Sequence, residues 1–286
     1  MNKGVLYSIF FIKKQSKSFV SAFSYRYSFK KSFQCHLFMN SPETSDQTCT
    51  SSQKKHRFSS DIRTSGVLLH ISSLPSPFGI GDLGSGSFNF IDFLAQSGQH
   101  YWQVLPLGPT NEVFGNSPYM SSSAFAGNPL FISPEQLIQD DLLSKEDLPA
   151  YDFSEYLVDF AQATAWKKKV LKKAWGIFQQ QTSLVGQDRF FTKLNNAHHW
   201  LKKYSLFMAL KQRFEQQGWL QWPEKIRRCQ PKAIQEAERE LLEKIRYFQF
   251  EQYLFFRQWK KLHDYAQEKG IHIIGDLPIY VGLDSA

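Results

Sequence analysis

The chain has 286 residues, of which 42% are hydrophobic and 16% aromatic, and a formal net charge of +8. No run approaches the roughly 18–20 consecutive apolar residues of a membrane-spanning helix, so no membrane partner is expected. Cys35, Cys49 and Cys229 form no CxxC pair, so neither a zinc ribbon nor a disulfide framework is supported.

The charge is unevenly placed. Residues 1–60 hold ten Lys/Arg against two acids, Glu43 and Asp46, whereas the other 226 residues hold 24 of each sign. The body therefore has no basic bias, and no nucleic-acid partner is expected. Residues 1–40 lack Asp and Glu and are rich in Lys, Ser and Phe, the composition of a transit peptide. The alternatives are a short signal core at 5–12 behind Lys3, a plain basic tail, or initiation at Met39. Residues 41–60 read as a polar linker. The chain thus divides into a disordered basic presequence and linker at 1–60 and a folded body at 61–286.

In the body, 66–71 (GVLLHI) is a short apolar run that predicts a buried strand. A Pro/Gly-rich loop follows to Gly86. Phe90, Ile91, Phe93 and Leu94 share one face of a helix predicted over 87–97, with Gly98 as its C-terminal cap. A second strand is predicted at 101–105, stopped by Pro106. Strand, helix and strand in so short a span predict a βαβ unit with parallel strands. A polar and aromatic loop runs from Leu107 to Pro134, long enough to suggest a function. Several helices are predicted over about 135–230, broken near Gly186, Gly218 and Pro223. One long helix is predicted over 231–269, with Pro231 in its first turn and an apolar stripe from Leu241 to Leu262 that reads as core packing. Gly270 ends it, and 271–274 (IHII) predict a third strand that leads directly into Asp276. The fold class is α/β. Only three strands of a (β/α)8 TIM barrel would be present, and a chain stopping at Ala286, just after the third, looks unfinished for a fold that needs eight.

Gly79-Ile80-Gly81-Asp82-Leu83-Gly84 matches GxGxxG between a strand and a helix. A dinucleotide site is nevertheless not expected, because seven residues separate the strand from the first Gly and no acid ends the second strand. The loop around Ser117-Pro118-Tyr119 carries Asn111, Glu112, Phe114, Asn116, Phe125 and Asn128. Ring faces pack on sugar C–H groups and amides exchange hydrogen bonds with hydroxyls, so this mixture suits a neutral, hydroxyl-rich ligand. It also suits an ordinary packed loop. Asp276, at the carboxyl end of a strand, stands where parallel α/β folds place ligands. His198, His199, His263 and His272 lack metal-ligand spacing, and no metal site is expected.

Three stretches, LLHISSLPSPFGIGDLG, FIDFLAQSGQHYWQVLPLGPT and SPYMSSSAFAGNPLFIS, strongly resemble the 4-alpha-glucanotransferases (amylomaltase or disproportionating enzyme, glycoside hydrolase family 77), as does GDLPIYVGLDSA at 275–286. The resemblance spans about 61–286. It implies a partial (β/α)8 barrel with helical inserted subdomains, the insertion lying at about 135–230. It further implies transfer of α-1,4-glucan segments between maltooligosaccharides by a retaining double displacement, with no cofactor. Carried over by position, Tyr119 is the residue that stacks on a bound glucosyl unit, with Ser117 beside it, and Asp276 helps hold the reacting sugar. The nucleophile Asp and the acid/base Glu of the family belong to later strands, beyond Ala286. No catalytic residue is therefore expected within 1–286, and the chain reads as truncated. Met120 stands where the family usually has Gln, and residues 111–114 replace a shorter Gly-rich loop. Together with the presequence, the resemblance implies a plastid (chloroplast) location, with the cytoplasm as the alternative. A related α-amylase-type hydrolase and an inactive carbohydrate-binding fragment are the rival readings.

Overall fold

The computed structural model describes residues 63–149, 153–154, 156–278 and 282–286. The presequence and linker expected over 1–60 lie outside the described residues.

The predicted βαβ unit is present. Strand β1 (Gly66–Leu68), helix α1 (Ser85–Gln96) and strand β2 (Tyr101–Gln103) follow in order, and β1 pairs with β2 in parallel, Val67 opposite Trp102. Helices α2 (Pro134–Gln139), α3 (Phe160–Gln181), α4 (Leu184–Ala197), α5 (Leu201–Arg213), α6 (Glu224–Arg227), α7 (Pro231–Glu240) and α8 (Leu242–Glu268) come next. Strand β3 (His272–Ile274) then joins β2 in parallel, with Ile273 opposite Trp102, in the order β1-β2-β3. Left-handed backbone at Gly98 (φ +67°) and Gly270 (φ +74°) ends α1 and α8 just ahead of β2 and β3. Glycine carries no Cβ penalty there, so each helix can reverse into its strand within a few residues.

The sheet is covered on one face. Trp102 is wholly buried against Phe90 of α1, and its indole Nε1–H donates to the Leu69 carbonyl at 2.7 Å. On the other face Leu68 is 45% and Ile274 37% exposed. The first strand is therefore shorter and less buried than its apolar run predicts. Pairing ends after Leu69 donates to the Gln103 carbonyl, and a 3-10 turn at Ile71–Ser73 carries Ile71 into the core instead. The same core takes Leu83, Ile91, Leu94, Phe131, Leu171 and Phe250.

The helical layer obeys local rules at its starts. Asp159 accepts from Gln162 N–H at the head of α3 and Ser183 from Gly186 N–H at the head of α4, each satisfying an otherwise orphaned donor. Pro231 opens α7 as expected. The long helix predicted over 231–269 is instead two helices. Leu241 (φ −104°, ψ 13°) interrupts it without Gly or Pro, and packs with Ile245, Ala237 and Trp222 in a second, smaller core. Tertiary packing overrides helix propensity here. A further break at His198–Trp200, between α4 and α5, carries no breaker residue either.

Past β3 the described backbone returns to the loop that follows β2. Ala286 N–H donates to the Ser122 carbonyl at 2.8 Å. Asp284 accepts from Lys211 Nζ at 2.5 Å and from Trp219 N–H at 3.1 Å, which ties the same segment to the helical layer. Residues 282–286 are thus held by partners from two distant parts of the chain.

Candidate functional site

The GxGxxG segment is structural. A Cβ on Gly81 would lie 1.9 Å from the Ile71 carbonyl oxygen, so the glycine is needed for close backbone packing. The N-terminus of α1 is already served by protein carboxylates. Ser85 N–H donates to Glu135 Oε2 at 3.1 Å, and Gly84 N–H to Asp82 Oδ1 at 2.9 Å. Asp82 is itself buried and paired with Lys167 Nζ at 3.0 Å, and Lys167 also donates to the Ile132 carbonyl at 2.7 Å. Two carboxylates occupy the place a phosphate would need, so the helix dipole is satisfied within the fold.

The three residues singled out in the sequence lie elsewhere, and two of them meet. Tyr119 Oη–H donates to Asp276 Oδ2 at 2.9 Å. The second carboxylate oxygen, Oδ1, accepts from Leu277 N–H at 2.8 Å. Parallel pairing of β2 and β3 is what brings them together: the loop bearing Tyr119 follows β2, and Asp276 sits two residues past β3. The phenol of Tyr119 is held above its ordinary titration range, chiefly because it donates to the Asp276 carboxylate, with desolvation and the carboxylate charge adding to the effect. Ser117 supports this tyrosine. Its Oγ accepts from Tyr119 N–H at 3.4 Å, and its carbonyl from Met120 N–H at 3.2 Å, closing a turn over 117–120. The hydroxyl proton of Ser117 and the remaining lone pairs of Asp276 are left to exchange hydrogen bonds with a ligand.

Asp276 forms part of the wall of a cleft of about 200 Å³ at the carboxyl ends of β2 and β3. Its other walls come from Pro106, Phe125, Phe255, Phe256 and Trp259. Such a cleft combines aromatic faces with a fixed carboxylate, the equipment for binding a polyhydroxylated neutral molecule. No described residue is assigned the role of nucleophile or acid/base.

Not every loop residue read as ligand-like points that way. Asn128 is buried. Its Oδ1 accepts from Leu130 N–H, its Nδ2 donates to Thr110 Oγ1, and it starts a 3-10 turn. Asn111 caps another turn through Val113 N–H. Both amides serve the loop: Asn128 satisfies a buried backbone donor, and Asn111 caps an exposed turn. In the other direction, the stripe of α8 read as core also supplies Phe255 and Trp259 to the cleft, Phe256 joins them from the same helix, and Trp200 from the α4–α5 turn stacks on Phe125. No local pattern marks these residues, since one helix face can line a cleft and fill a core at once. Among the described residues there is no cluster of His, Cys, Asp and Glu able to hold a metal ion, and no helix is long and apolar enough to cross a membrane.

A family profile described as 4-alpha-glucanotransferase matches residues 69–286. The 4-alpha-glucanotransferase of Synechocystis is 46% identical over 227 residues, 79% of this chain and 45% of that protein. A chloroplastic/amyloplastic 4-alpha-glucanotransferase of Solanum tuberosum is 39% identical, covering 79% of this chain and 40% of the relative. Among solved structures, an amylomaltase from Streptococcus agalactiae in complex with acarbose superposes with a TM-score of 0.73 at 38% identity, over 78% of this chain and 45% of that one. The chain thus spans less than half the length of these relatives.

Proposed function

The chain belongs to the 4-alpha-glucanotransferase family, and from that premise we propose that it is part of an enzyme that transfers α-1,4-glucan segments between maltooligosaccharides. The observation that carries the proposal is the Tyr119–Asp276 hydrogen bond beside an aromatic cleft at the carboxyl ends of parallel strands. In this reading the Tyr119 ring packs on one glucosyl unit. Asp276 accepts from that unit's hydroxyls, in a geometry fixed in advance by Tyr119 and by Leu277 N–H. Ser117 contributes its hydroxyl to the same unit. These are substrate-holding roles, and no catalytic carboxylate is assigned to them.

The reaction itself is a retaining double displacement, in which a carboxylate forms a glycosyl-enzyme and a second carboxyl group acts first as acid and then as base. Neither carboxyl group is assigned to a described residue. Transfer in place of hydrolysis requires a sugar hydroxyl to reach that intermediate before water, and apolar ring surfaces around the cleft favour this by displacing solvent.

The sheet fits a partial (β/α)8 barrel, with helices around 135–230 as an inserted subdomain. Helices α1 and α8 cover the Val67–Trp102–Ile273 face, while Leu68 and Ile274 stand on the face that a closed barrel keeps inside. The acid-free residues 1–40 and the chloroplastic/amyloplastic name of the Solanum tuberosum relative support a plastid location. Incubating the complete enzyme with maltotriose tests the activity. Transfer yields glucose together with a ladder of longer oligomers, whereas glucose and maltose without longer products would refute it.

A further inference from the structure

We propose that Phe125, backed by Trp200, is a second aromatic platform that carries glucosyl units of a longer chain beyond those held at Tyr119 and Asp276. The proposal rests on the glucan reading above and deepens it.

Isolated exposed apolar side chains are ordinary on protein surfaces, but Phe125 differs in three respects. The first is its mounting. Phe125 is 60% exposed, yet its neighbours Ser121, Ser123, Ala126 and Gly127 are buried. Ser123 Oγ accepts from Phe125 N–H at 3.2 Å and from Ala126 N–H at 3.3 Å, while Ser121 Oγ–H donates to the Ser123 carbonyl at 2.9 Å. From α8, the Gln252 amide clamps both backbone groups of Gly127, accepting from its N–H at 2.8 Å and donating to its carbonyl at 2.9 Å. A ring held out from so fixed a backbone is already in place for a ligand, and loses little freedom on binding.

The second respect is its backing. The Phe125 and Trp200 rings lie nearly parallel (17°) with centroids 6.1 Å apart, and His199 meets Phe125 edge-on at 6.2 Å. Trp200 in turn contacts Phe256 at 5.9 Å. The aromatic surface therefore continues from the cleft floor out to the α4–α5 turn.

The third is its position. Phe125 and Asp276 line the same cleft, so a chain anchored at Asp276 has this surface as its outward path. A neutral polymer of sugar rings offers C–H faces to such a surface and asks for no charge. Contacts of this kind, remote from the reacting bond, act equally on the bound ground state and the transition state, and they show in KM with kcat unchanged.

The test compares Phe125→Ala and Phe125→Trp in the complete enzyme on maltotriose and maltoheptaose. The Ala variant is expected to raise KM for maltoheptaose about tenfold with kcat within about twofold, and to change KM for maltotriose much less. The Trp variant should return KM for maltoheptaose close to the wild-type value. An unchanged KM for maltoheptaose, or equal losses on both substrates, would overturn the platform. Either result leaves the glucan reading standing, whereas a wild-type enzyme that makes no longer oligomers from maltotriose would remove that reading itself.

Discussion

Tyr119 and Asp276, 157 residues apart in sequence, share a 2.9 Å hydrogen bond from phenol to carboxylate. The bond joins the loop after one strand to the end of the neighbouring parallel strand. It fixes the Asp276 carboxylate at the wall of the cleft before any ligand arrives. Preorganisation of this kind spares the ligand the cost of ordering the site.

Substitutions at this pair should separate the ring from the hydroxyl. Tyr119→Phe keeps the stacking surface but leaves Asp276 Oδ2 without its donor, and kcat/KM on maltotriose is expected to fall roughly tenfold. Tyr119→Ala also removes the ring and should lose about tenfold more. Asp276→Asn weakens the hydrogen bond that chiefly holds the phenol up and removes the carboxylate charge, so the Tyr119 titration should move down toward the ordinary phenol range. Tyrosine-labelled NMR across alkaline pH reads that shift, and steady-state glucose release reads the activities. Equal losses for the Phe and Ala variants would assign the whole effect to the hydroxyl.

The buried Asp82–Lys167 pair, 5% and 1% exposed, ties α3 to the head of α1. Burial pushes the Asp82 carboxyl up and the Lys167 amine down, and each partner's charge opposes the other's shift. Lys167→Met strands a carboxylate in the interior and should cost about 3–5 kcal/mol, read as a thermal midpoint lowered by about 10 °C. Adding Asp82→Asn to that variant should restore most of the loss. A single variant that melts like the wild type would show the pair to be dispensable.

Glu251, buried in the middle of α8, sets a pH dependence of stability. Burial drives its carboxyl up to about 7, against the hydrogen bond from Tyr247 one turn earlier and the charge of Lys168 on α3. Tyr204 on α5 and Tyr247 are pushed upward in their turn, chiefly by burial and then by the Glu251 charge. A carboxyl raised in the fold binds its proton more tightly there than in the unfolded chain. Its contribution is therefore complete below the unfolded value of 4.5 and is lost as pH rises through about 7. From pH 4.5 to 8 this loss is about 3 kcal/mol. Glu251→Gln should flatten that slope, and denaturant melts of both proteins at pH 5 and pH 8 measure it. Parallel slopes for the two would mean that Glu251 does not titrate in this window.

The amino-acid sequence by itself determined the elements whose signals are local. The strand, helix and strand over 66–103, the glycine caps at Gly98 and Gly270, and the start of α7 at Pro231 all follow from patterning and capping within a few residues. The charge partition at residue 60 and the motif stretches that carry the family are equally a matter of composition and order. Ser117, Tyr119 and Asp276 stand out as candidates through the family resemblance of those stretches.

Only the tertiary structure decided what depends on distant partners. The break at Leu241 exists because that side chain packs beside Trp222, and no turn residue announces it. Spacing already argues against a phosphate loop at Gly79–Gly84, but only the fold shows Glu135 and Asp82 taking the N–H groups at the head of α1 in its place. Phe125 resembles any loop aromatic until Gln252, 125 residues from Gly127, fixes its backbone and Trp200 backs its ring. The meeting of Tyr119 with Asp276 requires β2 and β3 to lie side by side, although helices α2 to α8 separate them in the chain. Periodicity reports which face of an element is apolar, whereas a site is made by which elements become neighbours. That choice rests on packing energies summed over the whole chain.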